Sequence, residues 1–195
     1  MNKPVLIFAT NNNHKVAEIR AVVGDAINII TMKEAGIDID IPEPHDTLEA
    51  NAAEKSATVY KLKRQNCFGE DTGLEVEALN GAPGVKSARY AGEAKNFQDN
   101  IDKLIINMKA ESNRKARFRT VISLIWQSQQ YLFEGVCNGQ IIADQKGREG
   151  FGYDPVFIPD GAVQTFAEMS MQEKNKYSHR RKATDKLIAF LKGLQ

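Results

Sequence analysis

Residues 4–10, "PVLIFAT", form a short unbroken apolar run, the pattern of a strand covered on both faces. The period then changes. In "NNNHKVAEIRAVVG", Val16, Ile19 and Val23 recur at helical spacing, Asn12 or Asn13 is placed to cap, and Gly24 is placed to terminate. Strand, polar turn and helix make the opening unit of an α/β fold. "AINIIT" predicts a second strand. After a proline-bracketed loop, Asp46 with Glu49 reads as a capping box for a helix of about eighteen residues. "CFGEDTGLEVEAL" predicts a strand that enters a turn and leaves as another short strand, and the glycine-rich "NGAPGVKSARYAG" predicts a loop. Phe97, Ile101, Leu104, Ile105 and Met108 share one helical face. Phe118, Thr120, Ile122, Leu124 and Trp126 give the clearest strand alternation, and "QSQQ" offers the hairpin turn after them. Ser170 with Glu173 predicts a second capping box. The final helix presents Ala183, Leu187, Phe190, Leu191 and Leu194 on one face. Hairpin strands cannot all run parallel, so the fold class is α/β with a mixed sheet.

A length of 195 residues suggests a single domain, 1–195, with room for two lobes. Composition is that of an ordinary soluble protein, 42% hydrophobic and 26% charged. The 26 basic and 25 acidic residues leave a net charge of +1. No global field then favours nucleic acid or a membrane, and any anion site must be local. Cys67 and Cys137 form no CxxC, read as core residues, and suit a reducing cytoplasm. The N-terminal apolar run is too short for a signal peptide or a membrane span.

Charge changes the picture at three places. Lys15 lies in the first turn of the first helix, where a cation meets the positive end of the helix dipole, at a cost of roughly 0.3–1 kcal/mol relative to an acid. The polar turn before it exposes backbone N–H groups, so the site suits phosphate, although a snorkelling surface lysine fits the same position. GxxxxGK[ST] is absent, which leaves P-loop chemistry without support. "SHRRKA" opens the last helix with four basic groups. They form either a solvated basic face or, through His179 and Arg180, a site for an anion or the carbonyl oxygens of a base. In "EDTG", Glu70 and Asp71 repel each other unless a cation or proton lies between them. Hard carboxylate oxygens suit Mg²⁺, with Glu43 in the "PEP" stretch as a further ligand; the alternative is an exposed acidic turn. Phe151, flanked by glycines in "GREGFGYDPVF", can stack on a base.

Together "ATNNNHK", "EDTGLEVEALNGAPGVKSARYAG", "GFGYDPVF" and "EKNKYSHR", in that order over essentially the whole chain, resemble the inosine triphosphate pyrophosphatase family. Those enzymes clear ITP, dITP and XTP from nucleotide pools. The resemblance implies an elongated mixed sheet flanked by helices, two lobes with a central substrate cleft, and a homodimer in the cytoplasm. It implies a purine nucleoside triphosphate as substrate, with no nucleic acid or membrane partner, and Mg²⁺ as cofactor. Thr10, Asn11, Asn12, Asn13, His14 and Lys15 would form the phosphate-binding turn. Lys55 and Lys174 would reach the phosphates or the base side of the pocket. Glu43, Glu70 and Asp71 would lie at the metal, with Asp71 also deprotonating the attacking water and Lys15 assisting catalysis. Thr72 would contact the substrate, and Arg89, in the bracing "SARY" stretch, would lie near the phosphates. Phe151, Gly152, Tyr153 and Asp154 would build the base pocket, and His179 and Arg180 would read the 6-oxo edge. Two positions depart from the family's usual pattern. Asn11 replaces a glycine, and Glu-Asp-Thr-Gly replaces Asp-Asp-Ser-Gly with both acids and the hydroxyl retained.

Overall fold

The computed structural model describes residues 3–194. The first apolar run becomes β1 (Val5–Phe8), followed by α1 (Asn13–Val23) and β2 (Asn28–Thr31). Asn12 caps α1 in an extended conformation, and Gly24 ends it at φ 49° with its N–H on Arg20 O. The long helix α2 (Leu48–Lys63) starts one residue later than a cap at Asp46 would place it: Thr47 Oγ1 accepts from Ala50 N at 3.2 Å.

The expected strand–turn–strand around "EDTG" is instead one continuous strand, β3 (Cys67–Val76). Its glycines permit close approach and do not turn the chain. A Cβ at Gly69 would lie 2.4 Å from Ala52 O on α2, and one at Gly73 would lie 2.7 Å from Gly84 O. Gly84 belongs to the short β4 (Pro83–Gly84), antiparallel to β3. Then come α3 (Phe97–Asn107), β5 (Lys115–Trp126) and β6 (Gln129–Ile141). The hairpin turn falls within "QSQQ": Gln127 and Ser128 both have positive φ, 48° and 69°, as a two-residue primed turn requires. The chain closes with β7 (Phe157–Pro159), the single-turn α4 (Met171–Lys174) and α5 (His179–Gly193). Ser170 and Glu173 form the expected capping box.

The strands order as β2-β1-β3-β5-β6-β7, with β4 on β3. β1 runs parallel to both β2 and β3, and β6 runs antiparallel to β7, so the sheet is mixed. The described chain divides into two compact units. The first holds the residues up to Asp71, Thr120–Gly135 and those from Arg180 onward; the second holds Thr72–Arg119 and Val136–His179. In the first unit Leu6 and Phe8 pack with Ile19, Phe68, Leu124, Leu187 and Leu191. In the second, Leu74, Leu104, Phe118, Val156, Phe157 and Phe166 form the core.

The faces of two helices differ from the pattern. Leu194 is exposed although Ala183, Leu187 and Leu191 are buried. Phe97 is 39% exposed, and the polar Asn100 takes a buried place on α3. Its amide accounts for this, donating to Ala88 O at 3.0 Å and accepting from Ala91 N at 2.7 Å, which ties α3 to the "SARY" stretch.

Candidate functional site

In the first unit the turn before α1 is closed by its own side chains. Asn12 Oδ1 accepts from His14 N at 2.9 Å and Lys15 N at 3.2 Å. Thr10 Oγ1 accepts from Asn12 N at 3.2 Å, and Asn11 Nδ2 donates to Ile39 O at 3.0 Å. Two N–H groups expected to face phosphate are therefore already engaged by the cap. Asn13 and His14 are exposed. Lys15 points inward, its Nζ 3.8 Å from Glu70 Oε1. Burial pulls the Lys15 ammonium below the ordinary lysine range, and the charges of Lys55 and Arg180 act in the same direction against Glu70.

Glu70 and Asp71 sit side by side on β3, both buried. Their charge is met from far along the chain. Arg180, 2% exposed, grips Glu70 with two bonds, Nη2 to Oε1 at 2.9 Å and Nε to Oε2 at 3.1 Å. Its Nη1 donates to the buried Glu18 on α1. Arg180, expected at the base, thus lies inside the first unit as the counter-ion of two carboxylates, whose combined charge raises its pKa against the opposing effect of burial. Lys55, on α2, donates to Glu70 O and Asp71 Oδ1, both at 3.0 Å, and pairs with Glu43. Burial alone would lower the Lys55 pKa, but Asp71 and Glu43 outweigh it and raise it.

Asp71 Oδ2 is buried with no hydrogen-bond partner among the described residues. Burial pushes this carboxyl above the usual range. The charges of Lys55 and Lys15 oppose that shift, and Glu43 adds to it. Glu43, Glu70 and Asp71 are thus linked through Lys55, each with a cation at hand. Among the described residues no group of three or more histidine, cysteine or acidic side chains is gathered as a ready-made metal cage. The donor set still fits a hard cation such as Mg²⁺, which takes one or two carboxylates and completes its shell with water and phosphate oxygens. The available donors are carboxylate oxygens, and Asp71 Oδ2 is buried with its acceptor capacity unmet.

The second unit holds the remaining candidates. Asp154 Oδ2 accepts from Phe151 N at 2.9 Å and from the buried Lys174 Nζ at 2.6 Å. Gly150 makes this possible: its φ is +78°, and a Cβ there would meet Asp154 Oδ2 at 2.1 Å. Lys174 Nζ also lies 5.4 Å from the Phe151 ring and 5.2 Å from Phe166. Tyr153 Oη donates to Ser87 O at 2.9 Å, and burial pushes its phenol well above the usual range. His179 is buried and stacks on Phe118 at 4.6 Å and 15°. Thr72 is half-buried, and Arg89 pairs with Glu93 at 3.9 Å. A cavity of about 530 Å³ in this unit, lined among others by Glu75, Glu77, Lys115, Arg117 and Asp160, contains none of the expected residues. Glu75 and Arg117 in its lining pair directly at 2.6 Å.

The structure thus gathers Lys15, Glu43, Lys55, Glu70, Asp71 and Arg180 in the first unit, and Phe151, Asp154 and Lys174 in the second. Sequence reasoning missed Glu18. The available signal was an acid between Val16 and Ile19 on the apolar side of α1, and it is now seen to answer Arg180. With His179 and Arg180 buried, the start of α5 is not a solvated basic face: of its four basic groups only Lys182 is fully exposed, and Arg181 is paired with Asp185 at 2.8 Å. No described helix is long and apolar enough to cross a membrane.

Comparison with known proteins gives a consistent result. The Ham1 family pattern matches residues 6–190. A dITP/XTP pyrophosphatase of Flavobacterium psychrophilum is 48% identical over 96% of this chain and 99% of its own length. One from Porphyromonas gingivalis is 50% identical over 95% and 96%. The solved Staphylococcus aureus Ham1 protein is 38% identical, with a TM-score of 0.88 over 98% of this chain and 100% of that one.

Proposed function

The chain belongs to the Ham1 family, and on that premise we propose that it hydrolyses the purine nucleoside triphosphates XTP, ITP and dITP to the monophosphate and pyrophosphate. The observation that carries the reading is the buried ion network on β3, in which Asp71 keeps one carboxylate oxygen without a hydrogen-bond partner among the described residues. Full-length likeness to relatives named dITP/XTP pyrophosphatases supports the substrate class. The whole chain acts as one such domain in the cytoplasm, as a homodimer.

The triphosphate is received by the Lys15–Lys55 cluster of the first unit. Both ammonium groups are held in place before substrate arrives, so they stabilise developing phosphate charge without reorganising. Glu43, Glu70 and Asp71 would hold Mg²⁺, which would supply charge neutralisation at phosphorus. Asp71 Oδ2 accepts a proton from the attacking water. The water oxygen bonds to the α-phosphorus, the bond from that phosphorus to the α–β bridging oxygen breaks, and pyrophosphate leaves. A carboxyl raised by burial is a stronger base than an exposed one, which suits this role. Arg180 and Glu18 hold Glu70 in place. The purine is received by the second unit, on the Phe151 ring, where Asp154 holds the Phe151 N–H and Lys174 lies over the ring. His179, stacked on Phe118, lies in the same unit and serves the base edge.

The test is a panel of ITP, dITP, XTP, GTP, ATP and dTTP with Mg²⁺, followed by pyrophosphate release. Preferential turnover of the first three is expected. Equal turnover of GTP and ITP, or release of single phosphates, contradicts the reading.

A further inference from the structure

We propose that Phe97, the first residue of α3, is a positioning residue of the base site, setting the angle of the Phe151 ring on which a purine stacks. This rests on the base-site reading of Phe151 given above. The ring centroids of Phe97 and Phe151 are 6.0 Å apart at 45°, the separation and tilt of an attractive edge-type aromatic pair. The periodicity of α3 assigns Phe97 to the core face, yet it is 39% exposed, so its placement is not explained by burial.

The neighbouring contacts make Phe97 a fixed point. Asn96 caps α3, its side chain accepting from Gln98 N at 2.8 Å and Asp99 N at 3.3 Å. One turn on, Asn100 clamps Ala88 and Ala91. The helix start that carries Phe97 is therefore capped at Asn96 and tied to the preceding stretch through Asn100. Phe151 by contrast sits in a loop between two left-handed glycines, Gly150 at φ +78° and Gly152 at φ +61°. Asp154 holds its backbone N–H and Lys174 lies over its ring at 5.4 Å. Phe97 packs against the ring from a helix that Asn100 ties to Ala88 and Ala91.

The experiment compares wild type, Phe97→Ala and Phe97→Tyr. Steady-state kinetics are measured with ITP, alongside inhibition by inosine monophosphate and by pyrophosphate, and thermal unfolding. Losing an aromatic pair corresponds to about 2- to 10-fold in affinity. Phe97→Ala is expected to raise KM for ITP and the inhibition constant of the monophosphate by about fivefold. Inhibition by pyrophosphate, which carries no base, stays unchanged, kcat stays within about twofold, and Phe97→Tyr restores wild-type values. If Phe97→Ala leaves KM unchanged in an active enzyme, or weakens monophosphate and pyrophosphate alike, the positioning role is overturned and the pyrophosphatase reading stands. If the wild type turns over none of the triphosphates, both are overturned.

Discussion

Replacing Arg180 with leucine removes the counter-ion of two buried carboxylates. The guanidinium is 2% exposed and engages Glu70 through Nε and Nη2 and Glu18 through Nη1. Glu70 is 1% and Glu18 4% exposed, so neither can turn to water without moving β3 or α1. Breaking a buried pair by deleting one partner leaves an uncompensated charge and costs about 3–5 kcal/mol. Lys15, 3.8 Å from Glu70, recovers part of that on Glu70. For a chain of this size about 1 kcal/mol moves Tm by roughly 2–4 °C, so the shift should be about 6–20 °C downward. Circular dichroism of thermal and urea unfolding measures it, with Arg181→Leu as the control. The Arg181 side chain is 40% exposed and pairs with Asp185 one turn along its helix, and its loss should stay within about 0.5 kcal/mol. A loss below about 1 kcal/mol for Arg180→Leu, accompanied by a change in base selectivity alone, would refute the buried counter-ion account and favour a role at the base.

Three further outcomes follow from the same structure. Asp71→Asn keeps the shape but removes the proposed proton acceptor, and should lower kcat for ITP by about 100-fold or more in a steady-state assay. Gly150→Ala places a methyl 2.1 Å from Asp154 Oδ2 at φ +78°, so it should raise KM for ITP and lower Tm, with kcat much less affected. Burial pushes the Cys67 thiol up to about 12. Its protonated form is thus favoured in the folded state, and the resulting stability is present below pH 9 and lost between there and about pH 12. At pH 8 an aromatic disulfide reagent should label Cys67 only after unfolding; rapid labelling of the native protein would contradict this.

Elements governed by nearby residues were legible in the sequence. β1, the Asn12 cap, the Gly24 stop and the "QSQQ" hairpin all rest on contacts within a few positions. "EDTG" was not legible in the same way. Two adjacent acids and a glycine look locally like an exposed turn. What keeps them inside a strand is Arg180, 110 residues away, and the approach of α2 onto Gly69. The same separation explains Arg180 itself. Its place at a helix start suggests an outside anion, and only the fold brings Glu18 and Glu70 to it. Asp154 belongs to the base-pocket stretch in the sequence pattern; its contacts with Phe151 N and Lys174 depend on the left-handed Gly150.

The central claim, attack of water at the α-phosphorus with pyrophosphate as the leaving group, is tested most directly by hydrolysing ITP in ¹⁸O-labelled water and finding the label by mass spectrometry. The account predicts one ¹⁸O atom in inosine monophosphate and none in pyrophosphate. Label in pyrophosphate, or in free phosphate, would contradict it.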